Sequence, residues 1–350
     1  MMKDYIVVGA GLAGICFTET ALNQGKTVMV IDGETRSSSM VAGGMYNPVV
    51  LKRFTEVWNI GAQIKIAKSF YEGIESKLTA SFNHQMPLLR RLVSVEEQNN
   101  WFHATDKPSL EPYLAPELTY KSVNGVVAAY GYGEVFETGY LDSKGLILAY
   151  RNHLKERSLY LNEDFDFDAF SFTDTCVKYR DIEAKHIVFA EGFGIRNNPF
   201  FKDLPLDGTK GELLVVRIPN LNIDFILKAN IFLIPIGDDL YKVGATYDWK
   251  DKSDTLTDEG KEELLNGLRE VVGLEFEVIE HLAGVRPTVK DRKPLVGASN
   301  ESSRVHVLNG LGTRGVFLGP YLAQQLFNQI ENNAVLDDHI SITRFKKYKR

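Results

Sequence analysis

The sequence predicts an α/β fold into which a second, α+β domain is inserted. Three observations carry this expectation. A strand–glycine loop–helix–strand unit opens the chain over residues 5–32, short strands joined by turns fill 212–281, and a second strand–glycine loop–helix unit follows residue 305. The chain therefore leaves its first domain and returns to it.

Tyr5-Ile6-Val7-Val8 is a short apolar strand, and Gly9-Ala10-Gly11-Leu12-Ala13-Gly14 follows at once. Residues 15–24 read as a helix and 27–31 as a second strand ending in Asp32. Gly9 permits a tight turn, Gly11 lets a pyrophosphate approach the backbone, and Gly14 lets the helix pack closely on the sheet. The helix N-terminus offers free N–H groups and partial positive charge to phosphates. Asp32 is placed to accept from an adenosine ribose hydroxyl. A Gly-x-Gly-x-x-Gly alone is weak, but here strand, helix, strand and acid fall in order within the ~30 residues the motif requires. This predicts a Rossmann-like dinucleotide-binding element, open at this point to NAD or FAD.

Beyond Asp32 comes a polar turn, residues 33–39, and then Met40-Val41-Ala42-Gly43-Gly44-Met45, whose adjacent glycines suggest backbone pressed against something flat. Residues 57–78 read as a helix, while 88–95 and 123–136 carry strand signals. A passage containing Pro108, Pro112 and Pro116 between them reads as loop. A helix is expected over 141–156 and short strands over 158–161 and 176–179. Residues 186–190 have the unbroken apolar character of a central parallel strand. Strands over 212–218, 231–236 and 240–247 surround Gly237-Asp238-Asp239, a hairpin signature. A helix over 257–272 is stopped by Gly273, and 276–281 is a further strand. Residues 305–308 form a strand before Asn309-Gly310-Leu311-Gly312-Thr313-Arg314-Gly315, and a helix over 320–331 closes the fold.

Composition bounds the function. The 350 residues are 44% apolar and 25% charged, ordinary for a globular protein of two domains. A net charge of −6 argues against a protein whose main task is gripping nucleic acid. The basic tail over 344–350 reads as a solvated or frayed end. Cys16 and Cys176 suggest no disulfide framework, which fits a reducing cytoplasm. The first strand begins at once, leaving no room for a signal peptide, and no apolar run approaches the ~18 residues of a membrane span.

In this order and spacing the motifs resemble the D-amino-acid oxidase family of flavoproteins. Within it they are most similar to the glycine oxidase group and to the flavin domain of the bifunctional enzyme that matures 5-methylaminomethyl-2-thiouridine in tRNA. The likeness runs nearly end to end. Ser38 to Met45 resembles the family's Ser-x-x-x-Ala-Gly-Met segment, and Thr209-Lys210-Gly211-Glu212 its entry into the sheet domain. Ala283-Gly284-Val285-Arg286-Pro287 is similar to its return to the cofactor domain. Gly310-Leu311-Gly312-Thr313-Arg314-Gly315 is more like the tRNA-enzyme domain than like glycine oxidase.

The resemblance implies noncovalent FAD held by Gly9, Gly11, Leu12, Ala13, Gly14, Asp32 and Gly33 at its ADP half. It implies further contacts from Ser38, Ser39, Ala42, Gly43, Gly44 and Met45, and from Ala190 and Gly192. Gly310, Gly312, Thr313, Arg314, Gly315 and Val316 would lie at the flavin, with backbone N–H groups of 312–315 stabilising negative charge on it. Arg286 would face both cofactor and substrate and hold a carboxylate by its bidentate fork. The bland alternative is an Arg286–Asp291 salt bridge. Phe232 departs from the Tyr common among relatives, and Tyr247 is a candidate to restore the hydroxyl, or simply packs.

The implied domains are 1–80, 136–203 and 282–350 for FAD, with 81–135 and 204–281 for substrate. The implied reaction is oxidation of a C–N bond in a small amino acid or N-substituted glycine, by hydride transfer to flavin, with dioxygen or another acceptor completing the cycle. The alternatives are oxidative trimming of a carboxymethylaminomethyl group on tRNA, which the acidic charge disfavours, and a dinucleotide-binding module without turnover.

Overall fold

The computed structural model describes residues 2–34, 37–345 and 348. Thr35 and Arg36 of the polar turn, and Lys346, Lys347, Lys349 and Arg350 of the basic tail, lie outside the described residues.

The opening strand Lys3–Val8 sits centrally in an eight-stranded sheet, parallel to Val28–Ile31 on one side and Ile182–Phe189 on the other. Tyr160–Leu161 and Val305–Asn309 extend the parallel part. Both faces are covered, which explains why these strands are apolar without alternation. Tyr5 and Val7 face a core shared with the helices Leu12–Asn23, Ile60–Leu78, Ser143–Glu156 and Gly315–Asn332. Ile6 and Val8 face a second core rich in phenylalanine, including Phe189 and Phe201.

A second eight-stranded sheet runs in the order Glu277–Arg286, Thr209–Arg217, Leu240–Gly244, Phe232–Gly237, Ile226–Lys228, Leu88–Arg91, Tyr132–Val135, Leu114–Thr119. Its pairings are antiparallel except that of Ile226–Lys228 with Leu88–Arg91. The hairpin at Asp238 and Asp239 is present, with φ of 52° and 58°, the paired positive values of a tight turn that follows strand twist. Asp258–Arg269 packs its leucines on this sheet.

Several elements differ from the sequence reading. The strand expected over 123–136 shortens to Tyr132–Val135, and that over 88–95 ends at Arg91. The Pro-rich passage is not all loop. Val95–Thr105 is a helix whose N-cap, Ser94, accepts from the Glu97 amide at 3.1 Å. The capping pattern Ser94-Val-Glu-Glu97 was there to be read. Leu114–Thr119 accommodates Pro116 because it lies at the sheet edge, where a missing N–H costs no ladder bond. Phe170–Phe172 and Ile226–Lys228 are strands too short to show a period.

The last helix starts at Gly315, five residues before Pro320. Proline cannot donate to the carbonyl four residues back. That carbonyl, Val316 O, instead accepts from the buried Tyr71 hydroxyl at 2.7 Å. The described part of the basic tail is docked: Arg344 donates to Asp291 at 2.9 Å, and Tyr348 is buried with its hydroxyl on Phe200 O.

Candidate active site

A cavity of about 780 Å³ separates the carboxyl ends of the parallel strands from the second sheet. Every residue assigned to the site from the sequence lines it except Gly14, Gly310 and Arg314.

The three motif glycines divide their work as the turn geometry requires. Gly9 has φ +98°, and a Cβ there would stand 2.6 Å from Ala190 O. A Cβ on Gly14 would fall 1.8 Å from Gly9 O, so helix and strand touch through it. Gly11 has ordinary extended backbone, φ −77° and ψ −174°, and a Cβ there would meet only Ser39 Oγ at 3.7 Å. Nothing in the fold needs glycine at 11; the open space before it does. Gly11 is also the N-cap of Leu12–Asn23 and brings no capping side chain, while Ser39 Oγ accepts from the Leu12 amide at 3.4 Å. The Ala13 and Gly14 amides of that first turn remain available to an anion. This cradle, and Asp32 at the next strand end, fit an FAD pyrophosphate and ribose.

Asp32 is more engaged than expected. Its Oδ2 accepts from the Ala10 amide at 2.8 Å and from Arg151 Nη2 at 2.7 Å, and its Oδ1 accepts from the Glu34 amide. Arg151 was missed, although it occupies a position of the buried stripe on Ser143–Glu156. An arginine in such a stripe marks a paired charge. Glu191 was missed too. It lines the cavity beside Gly192, and burial pushes its carboxyl up to about 7 despite the Asn198 side-chain Nδ2 donating to it at 2.8 Å.

At the other end Arg286 terminates its strand. Its Nη1 donates to Lys210 O and Thr246 O, each at 3.2 Å, and the guanidinium lies 4.5 Å from the Tyr247 ring centre. Gly211 makes room for it, since a Cβ there would stand 1.9 Å from Nη2. Asp291 pairs with Arg344, so the alternative of an Arg286–Asp291 bridge fails. Burial lowers the Arg286 pKa from its usual value. Arginine remains charged under such a shift. Phe232 and Tyr247 both line the cavity, Tyr247 with 58% of its surface exposed.

Lys210 and Glu212 flank Gly211 and are both buried. Lys210 Nζ donates to Asp251 at 2.6 Å; Glu212 accepts from Thr257 Oγ1 at 2.6 Å and lies 2.7 Å from His281 Nε2. They pin the segment that brings Tyr247, Lys252 and Ser253 to the cavity.

In the second glycine loop, the Gly312 amide donates to Pro287 O at 3.3 Å and the Arg314 amide to Leu311 O at 3.1 Å. Two of the donors expected to face a cofactor are thus already used. Gly310 supports the turn with φ +75°, and Arg314 caps the helix behind it.

A family model described as FAD dependent oxidoreductase (DAO) matches residues 4–329. The chain belongs to the DAO family of FAD-dependent oxidoreductases. It is 25% identical to the tRNA 5-methylaminomethyl-2-thiouridine biosynthesis bifunctional protein of Marinobacter nauticus, over 93% of this chain and 55% of that protein. It is 28% identical to glycine oxidase of Bacillus subtilis, over 48% of this chain and 47% of the enzyme. The chain thus spans about half the length of these curated relatives. In fold it is similar to glycine oxidase from Geobacillus kaustophilus, with a TM-score of 0.81 at 16% identity, covering 98% of this chain and 99% of the other. Members of this family are oxidoreductases, and so is this chain. Among the described residues no helix is long and apolar enough to cross a membrane.

Proposed function

We propose that the chain holds FAD noncovalently in this cavity and oxidises the C–N bond of a small amino acid or N-substituted glycine. FAD bound there would supply hydride acceptance. The chain's own residues bind and orient. The Ala13 and Gly14 amides and the space before Gly11 take the diphosphate. Asp32, fixed by Arg151, takes the ribose. Arg286 receives the substrate carboxylate in its planar fork, and Phe232 with Leu213 keeps the reacting carbon dry. No side chain is needed as a general base. Residues 1–80, 136–203 and 282–350 would form the FAD domain, with the border running inside Glu277–Arg286.

The observation that carries this reading is Arg286: a guanidinium lining the cavity, steadied by two backbone carbonyls and a tyrosine ring, with Asp291 engaged elsewhere. A charge-assisted contact of this kind contributes about 1.5–3 kcal/mol. Arg286→Ala should therefore lower kcat/KM for anaerobic flavin reduction by an amino acid about ten- to a hundredfold, with FAD content retained. Arg286→Lys should recover only part of this, since a point charge lacks the fork. Loss of FAD or of folding in Arg286→Ala, with the reductive rate of surviving holoenzyme intact, would make Arg286 structural.

A second reading, trimming of a carboxymethylaminomethyl group on tRNA, is favoured by the Marinobacter relative, whose match covers nearly the whole of this chain. Flavin reduction by tRNA bearing that group, and not by free glycine or sarcosine, would select it.

A further inference from the structure

The sheet that faces the cavity carries one cation on its edge strand, Arg286, and a second, Lys228, four strands further in. Register places Leu213 opposite Gly244, Gly244 opposite Phe232, Phe232 opposite Lys228, and Lys228 opposite Arg90. Directly opposed residues share a face, so this row projects to one side. Phe232 shows which side: its ring lines the cavity and would be met by a Cβ on Gly43 or Gly244. Arg286 projects to the same side, because a Cβ on Gly211, two residues before Leu213, would meet its guanidinium.

Lys228 lines the cavity with Phe232 and Asn230. Its ammonium donates to Ala229 O at 2.7 Å and Ile231 O at 3.1 Å. Among the described residues no carboxylate lies within ion-pair distance of it. Arg90, its neighbour across the strand pair, is paired with Glu97 at 3.0 Å and adds repulsion instead of neutralisation. Burial, then the Arg90 charge, brings Lys228 down to about 8. A partly buried ammonium with two neutral acceptors has one N–H left, and it sits at the wall of a cavity. A partly desolvated cation without a carboxylate partner carries a cost that a ligand anion would relieve.

We propose that Lys228 anchors a second oxyanion subsite, taking a carboxylate or phosphate carried on the substrate's N-substituent. The Arg286 and Lys228 strands are four apart in the sheet, about 19 Å at the ~4.8 Å spacing of neighbouring strands. The Lys228 row meets the Arg286 strand at Leu282, four residues from Arg286, which adds an offset of about 13 Å along the strands. The head groups, reaching over the sheet, therefore stand on the order of 10 Å or more apart. Glycine or sarcosine cannot touch both. The substrate class is therefore an N-substituted glycine whose substituent extends over Phe232 and ends in an anion. This rests on Arg286 as the carboxylate site.

The test uses the holoenzyme and two ligand series. One is N-(ω-carboxyalkyl)glycines of increasing length; the other is carboxymethylaminomethyluridine with and without a phosphate. Anaerobic flavin reduction by each is compared with reduction by sarcosine, and binding of non-oxidisable ω-dicarboxylates is compared with that of acetate by calorimetry. In the unaltered protein a dianion should be favoured at least tenfold over its monoanionic counterpart. The series that shows this assigns carboxylate or phosphate. Lys228→Gln should remove the preference, and Lys228→Arg should keep part of it, which a merely structural lysine would not do. Equal treatment of mono- and dianions by the unaltered protein, or a preference that survives Lys228→Gln, overturns the subsite. If no amine reduces the flavin the proposed reaction fails, and the calorimetric comparison still decides on Lys228.

Discussion

Gly11→Val separates a glycine kept for a ligand from one kept for the fold. The backbone at 11 is extended, and an added Cβ meets only Ser39 Oγ at 3.7 Å. Restricting the unfolded chain favours the variant by about 0.4–1 kcal/mol. Losing glycine at an N-cap costs a similar amount. Stability without cofactor should thus change by no more than about 1 kcal/mol. The valine methyls would, however, stand where a diphosphate must lie to reach the first helix amides. Losing two charge-assisted hydrogen bonds of ~1.5–3 kcal/mol each removes about 3–6 kcal/mol of binding. That raises the FAD Kd by roughly 10²–10⁴-fold. Flavin released by acid per mole of purified protein measures occupancy, and melting with and without added FAD measures both stability and linkage. A colourless, folded protein whose Tm no longer responds to FAD is expected. Gly14→Ala is the counterpart: its Cβ would lie 1.8 Å from Gly9 O, a backbone atom that cannot step aside, so the fold itself should suffer. Normal FAD content in Gly11→Val would refute the reasoning, and so would an apoprotein destabilised as badly as Gly14→Ala.

Glu191 supplies a pH dependence. Burial raises its carboxyl from 4.5 to about 7, so the folded state binds its proton more tightly than the unfolded chain does. The resulting stability is complete below about 4.5 and is lost as pH rises through about 7. Glu191→Gln should flatten that part of the apoprotein Tm–pH curve; an unchanged descent would assign it to other groups. Tyr71→Phe should cost about 1–3 kcal/mol in denaturant unfolding, because Val316 O, deprived of its helix donor by Pro320, loses its replacement. An unaltered midpoint would mean that the carbonyl finds another donor.

The first unit was legible because local chemistry and tertiary demand coincide there. The same glycines that turn the chain also admit it to the sheet, and a strand buried on both faces announces itself as an apolar run. Arg286 was singled out through the resemblance and not through local pattern, and the structure places its guanidinium at the cavity wall. Other features depend on partners far away in the chain. Pro116 is compatible with a strand only because Leu114–Thr119 is an edge, and edges are a property of the sheet. Asp32 needed Arg151, which is more than a hundred residues distant and recognisable only once its helix shows a buried stripe.

Lys228 is the clearest case of the difference. In sequence it is a polar residue beside Ile226-Leu227, and nothing local singles it out. Register changes that reading. Opposition to Phe232 fixes its face, and the parallel pairing with Leu88–Arg91 puts a second cation behind it and not a carboxylate. A parallel pairing between segments more than a hundred residues apart leaves no local trace in either. The two cations that frame the cavity, Arg286 and Lys228, therefore differ less in chemistry than in how far one must look to see what they face.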